Sequence, residues 1–286
     1  MILKNLKALF FSVSLIPIGS GLMAQVGKES GDRFPENKQL GISMNAVPIL
    51  NWIGNTFNGN ANNTYIGQSK FMNSNSPSVT LRYFYKPDLA IRGIYGGGRN
   101  QITQDNYVKN NSALNDPYAT VIDRKFTSSS TLLIGIGIEK RRSNGNLQGY
   151  YGIDITYGRS SSQSQYTYGN DFTLFNQSPT TTTDFDSRNS SNQFERVIDV
   201  NNQVTNSVGS RGFIGFEYFI TKGISIGAEY GLSVMYQSNS DSDATSQSIN
   251  TIDGTKINRR TKIAGSQSYS DLLDNQGGAI LINAYF

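Results

Sequence analysis

The 286-residue chain contains no cysteine, no histidine, one tryptophan and seven prolines. Without cysteine there can be no disulfide, zinc–thiolate centre, thiol nucleophile or lipid anchor on an amino-terminal Cys. Long apolar runs are almost missing as well. The one candidate, Ala8 to Ile18, is broken by Ser12, Ser14 and Pro17, and about 11 residues are too few to cross a bilayer as a helix. With 29 Gly, 16 Tyr and 15 Phe, the composition does not fit a helical membrane protein.

That short run does fit an export signal. Lys4 and Lys7 precede it, and Gly19-Ser20-Gly21-Leu22-Met23-Ala24 follows as a small-residue cleavage region before Gln25. The expected organisation is a cleaved signal peptide over 1–24, a short polar leader over 25–39 and one strand-built domain over 40–286. Removing Lys4 and Lys7 from the 25 basic residues leaves 23 against 21 acidic ones. A charge this close to balance gives no reason to expect a nucleic-acid partner.

Eight segments carry a period of two. In Ile224 to Val234 the even positions Ile224, Ile226, Ala228, Tyr230, Leu232 and Val234 are apolar, while the odd ones are small or charged. Leu40 to Ala46, Val79 to Tyr85, Leu89 to Tyr95, Leu132 to Glu139, Tyr151 to Tyr157, Ile214 to Ile220 and Gly278 to Phe286 repeat the pattern. Lys86-Pro87-Asp88, Ser143-Asn144-Gly145-Asn146 and Thr221-Lys222-Gly223 read as tight turns. The other connections, Trp52 to Pro77, Gln104 to Phe126, Ser160 to Ser207 and Asn239 to Gln276, are long and rich in Ser, Asn, Thr and Asp.

With its export signal, strand parity, alternating short and long connections and terminal aromatic Phe286, the chain resembles the small eight-stranded bacterial outer-membrane β-barrel family, of which the OmpA transmembrane domain and OmpX are familiar members. The resemblance implies an all-β, eight-stranded, antiparallel, up-and-down transmembrane barrel. It would have short periplasmic turns, four long extracellular loops and an integral outer-membrane location reached through the secretory pathway. It also implies that Tyr285 and Phe286 serve as the signal read by the barrel-assembly machinery. No cofactor is expected.

An eight-stranded barrel is just wide enough for its own side chains to fill it. Inward parity falls on Arg82, Lys86, Arg92 and Arg141 and on Glu139, Asp154, Glu217 and Glu229, with small neighbours at Gly135, Gly137, Gly152, Gly215, Gly227 and Gly231. Glu217 and Glu229 could be read as an acid–base pair. The equal charge count and the small neighbours favour a buried salt-bridge network instead. Arg99, Arg124 and Arg159 share the lipid-facing parity of Tyr95, Phe126 and Tyr157, and are the candidates for lipopolysaccharide phosphate. Tyr83, Tyr85, Tyr151, Tyr218, Tyr230 and Tyr236 read as interfacial girdles.

Enzymes built on such barrels generally rely on histidine, which this chain lacks, so the expectation is a protein that is not an enzyme. Its plugged barrel would display surface loops for envelope integrity, adhesion or binding of an unidentified extracellular ligand or protein. Tyr166, Tyr168, Phe172, Phe175 and Phe194 are its candidate contact residues. A narrow porin-like channel for small solutes and an accessory subunit of a secretion machine are the alternatives.

Overall fold

Strands dominate because β-branched and aromatic residues recur at every second position over long stretches, each ended by turn residues. The computed structural model describes residues 34–46, 78–113, 115–182, 195–270 and 276–286, so the expected signal peptide lies outside the described residues. Twelve strands are present among them: β1 Leu40–Asn45, β2 Ser78–Lys86, β3 Leu89–Lys109, β4 Thr120–Asn144, β5 Leu147–Thr167, β6 Glu195–Asn201, β7 Thr205–Thr221, β8 Ile224–Asn239, β9 Ser242–Ile249, β10 Lys256–Ile263, β11 Gln267–Ser270 and β12 Gln276–Tyr285. Their pairings are antiparallel and belong to one sheet.

Eight strands close into a ring. The pairing runs β1 to β2, β3, β4, β5, β7, β8 and β12, and returns to β1 through Gly41 opposite Tyr285 and Asn45 opposite Leu281. Reciprocal backbone hydrogen bonds of 2.9 Å between Leu40 and Phe286 finish the seam. Pro87-Asp88, Gly145-Asn146 and Lys222-Gly223 make two-residue turns at one end of the ring. Gly145 (φ 61°) and Gly223 (φ 86°) occupy the left-handed region that glycine enters freely.

The expected set of eight strands is therefore incomplete. Three of the four connections predicted to be loops contain strand: β3 runs to Lys109, β4 starts at Thr120, β5 reaches Thr167, and the last two connections supply β6, β9, β10 and β11. Much of this polar strand is exposed on both faces, so no apolar alternation marks it in the sequence. The Trp52 to Pro77 connection lies outside the described residues. At the end far from the turns β5 forks, pairing with β7 as far as Ser160 and with β6 from Gln163. β9 then adds to β6, and β10 to β9.

The ring is inverted with respect to water. Ile136 (63%), Ile155 (60%), Ile214 (61%) and Phe216 (54%) are exposed on its outer wall, whereas Arg82, Arg92 and Arg141 are at most 2% exposed inside. The six girdle tyrosines are all exposed on the outer wall.

Candidate functional site

The interior is built in layers from the turn end. Phe84, Ala90, Phe219 and Tyr285 form a buried cluster, with Phe34 from the leader packed edge-on against Phe219 at 5.1 Å. Above it, Arg141 on β4 donates to Glu217 at 2.8 Å and pairs with Glu139 and Gln148. Its guanidinium also lies 5.0 Å from the Phe84 ring and 5.1 Å from that of Tyr150. Arg82 on β2 donates to Glu139 (3.1 Å) and to Asn283 (3.1 Å), and Asn283 is bonded to Ser43.

Arg92 on β3 reaches Glu229 at 2.9 Å, Glu139 at 3.3 Å and Asp154 at 3.5 Å, and lies 3.9 Å over the Phe213 ring. Arg211 on β7 completes the network through Glu229 (2.8 Å) and Asp154 (3.6 Å). Every strand of the ring contributes to this chain of contacts, from Ser43 on β1 to Asn283 on β12. Four arginines face four carboxylates, and each charge taken out of water meets an opposite one, without which burial would be prohibitive.

One sequence expectation needs correction here, and one member of the network is not among the expected residues. Lys86 is exposed and lies outside the network, because the register shifts between Phe84 and Lys86 as β2 enters its turn. Arg211 takes the fourth basic place. Its odd parity matches that of Glu217, but it lies between the expected end of a loop at Ser207 and the expected strand start at Ile214.

Room for these side chains comes from glycines directly opposite them. A Cβ on Gly137 would lie 2.0 Å from Asp154 Oδ1, and one on Gly152 would lie 2.0 Å from Ile138 O and 2.5 Å from Phe213. Tyr150 likewise covers Gly215, and Tyr285 covers Gly41. Large residues on one strand thus fill the gap left by glycine on the next.

The far end carries a second folded region. Tyr166, Val197 and Val200 form its core, flanked by Tyr168 and Ala244. Residues 168–182 are pinned to the top of β4, where buried Asp123 accepts from the backbone N–H groups of Gly169 (2.9 Å) and Thr182 (2.7 Å). Arg196 sits between the Tyr168 and Phe172 rings, 4.6 and 4.5 Å from their centroids, and donates to Asn170 O at 2.6 Å. Tyr166 and Phe172 are therefore core residues rather than the surface contacts expected from the sequence. Phe175 is fully exposed on the 173–176 turn, and Phe194 lies outside the described residues.

The three candidate phosphate-binding arginines lie within strands and do not form one row. Arg99 stands opposite Ser130, and Arg159 opposite Leu132, only two residues along β4. Arg124 lies six residues, or about 20 Å at strand rise, beyond Ser130. There it forks onto Asp105 at 2.7 and 2.9 Å, which holds the Asp105 carboxyl below its ordinary pKa. Phe286 is 63% exposed, whereas Tyr285 points inward at 8%.

No family model matches the chain, and no curated protein matches it. Among solved structures it is similar to the outer membrane protein OprG from Pseudomonas aeruginosa, at 10% identity and a TM-score of 0.32, over 89% of this chain and 98% of that one.

Proposed function

We propose that the ring is a transmembrane β-barrel of the bacterial outer membrane, plugged by its own side chains, whose function is to hold a folded extracellular surface for partner binding. The observation that carries this reading is the inverted polarity. Exposed apolar side chains surround buried charge, an arrangement that suits hydrocarbon outside and is costly in water. On β8 the outward residues Ile224, Ile226, Ala228, Tyr230 and Leu232 carry no charge. Nine residues at strand rise and barrel tilt make a band roughly 20–25 Å tall, which suits an outer-membrane hydrocarbon core.

In this reading the two-residue turns are periplasmic, and the far-end sheet is extracellular. Arg99 and Arg159, on outward strand positions beyond Tyr95 and Tyr157, contact lipid phosphates. Arg124 is held by Asp105 for a structural purpose. Phe286 is the group presented to the assembly machinery, and Tyr285 locks the closing strand. In this reading the protein is not an enzyme, and Glu217 and Glu229, which could have formed an acid–base pair, are committed to arginines.

The display role is supported by the far end, where hydrogen-bonded turns hold Phe175 and Ile252 almost fully exposed. Its test is single-channel recording of refolded residues 25–286 in a planar bilayer, with heat-modifiable gel mobility to verify folding. Silence from folded protein is expected. Stable discrete steps would overturn the plugged barrel and make Arg82, Arg92, Glu217 and Glu229 the lining of a channel.

A further inference from the structure

β10 ends the far-end sheet, and among the described residues it pairs with β9 alone. Its sequence, Lys256-Ile257-Asn258-Arg259-Arg260-Thr261-Lys262-Ile263, holds four cations and no anion, and all eight residues are exposed. The other backbone edge of β10 has no partner strand among the described residues, and the antiparallel pattern says which groups lie along it. Asn250 N–H donates to Thr255 O at 2.8 Å, so hydrogen-bonded pairs alternate from there. The N–H and C=O groups of Lys256, Asn258, Arg260 and Lys262 therefore point away from β9.

An unpaired edge is a template for another strand, and lysines on it commonly guard against indiscriminate pairing. The side chains decide what can be admitted. Lys256, Arg260 and Lys262 share one face, and Ile257 and Ile263 flank the other, 46% and 52% exposed. Neighbouring acids engage part of this charge: Arg260 forks onto Asp243 (2.9 and 3.1 Å), Arg259 meets Glu195 (2.8 Å) and Lys256 meets Asp171 (3.1 Å). The side chains of Arg259 and Arg260 still remain 65% and 59% exposed, and a guanidinium has five donors to offer. A second copy of β10 would bring four cations against four, which like-charge repulsion opposes.

We propose that the free edge of β10 is a strand-addition site for an extended acidic segment of a partner protein, with Asp or Glu at alternate positions and apolar residues between them. Backbone hydrogen bonds to the groups of residues 256, 258, 260 and 262 supply the ladder, and the cations select the sequence. The proposal rests on the reading that this sheet faces outside the cell and names the partner chemistry of that surface.

The test uses the full folded chain in micelles and a fluorescein-labelled octapeptide of alternating Glu and Val, followed by anisotropy. The wild type is expected to bind it. Arg260→Glu with Lys262→Glu weakens binding at least about tenfold and gains affinity for the matching Lys–Val peptide, as charge selection requires. Asn258→Pro removes one outward N–H while keeping every cation, a change an edge strand tolerates, and also weakens binding at least about tenfold. Wild-type affinity in Asn258→Pro, or no binding by the wild type, overturns the proposal; the first result would leave a surface for polyanions only. Trypsin applied to whole cells separates the two readings. Cleavage after Arg259 or Arg260 without peptide binding overturns strand addition alone, while protection on cells of a site cut in micelles overturns the extracellular placement.

Discussion

The hydroxyl of Tyr285 donates to Glu217 Oε2 at 2.6 Å, so the next-to-last residue of the chain is bonded to a carboxylate 68 positions earlier in sequence. Arg141 touches both groups, at 3.2 and 2.8 Å. The closing strand is thereby fastened to the plug by a side chain as well as by its backbone ladder. Tyr285→Phe keeps the ring over Gly41 and removes that bond. A hydrogen bond to a charged group is worth about 1.5–3 kcal/mol, and a loss of that size is expected in the unfolding free energy, seen as a lower denaturant midpoint at unchanged slope. A midpoint equal to the wild type would show that the hydroxyl contributes nothing.

Glu229→Ala leaves Arg92 and Arg211 without their shortest ionic contacts. Removing one member of a buried pair costs roughly 3–5 kcal/mol, so thermal unfolding should move down clearly. Binding by the far-end sheet should survive in whatever fraction is folded. Unchanged melting would count against the network.

Glycine positions separate packing from composition. Gly152→Ala would place a methyl 2.0 Å from Ile138 O, while Gly212→Ala meets nothing within 4 Å. The first variant should fail to give the heat-modifiable folded band, and the second should give it at the wild-type level. Equal yields would contradict the interior packing.

Beyond the ring, Asp243 accepts from Arg260 and Asn201, which hold its carboxyl below the usual carboxylate value. A carboxyl with a depressed folded pKa contributes stability that is present above its unfolded value, about 3.9, and lost as pH falls through the folded one. Amide protection in the β9–β10 hairpin should therefore hold from about pH 8 to about 5 and decline below about 4. A decline centred between about pH 7 and 5 would rule out Asp243 as the group responsible.

Arg99 and Arg159 are expected to act together at the lipid phosphate level. Lipopolysaccharide co-purifying with the protein should fall in the Arg99→Ala/Arg159→Ala double variant and stay unchanged in Arg124→Ala, which stands six residues, about 20 Å at strand rise, beyond Ser130, the partner of Arg99. Equal amounts in all three proteins would remove the idea.

Strand parity alone assigns an interior face to seven of the network's eight charged members, namely Arg82, Arg92, Glu139, Arg141, Asp154, Glu217 and Glu229. Parity misplaces Lys86 because the alternation fails where the register shifts at a turn. It passes over Arg211 because the start of β7 is too polar to show alternation. The aromatics of the far end read as surface for a related reason. Whether Tyr166 or Phe172 is buried depends on β6, β9 and residues 168–182 meeting above the ring, and these segments are far apart in sequence.

The period of two, the three turns and the small residues at inward positions are properties of the amino-acid sequence alone, since each follows from backbone sterics and side-chain size within a few residues. Three features arise only in the folded chain: the eighth strand of the ring returns to the first, Arg211 balances the charge, and four polar strands extend the sheet past the ring. They depend on hydrogen bonds and ion pairs between residues far apart in the chain, whose partners no local pattern names.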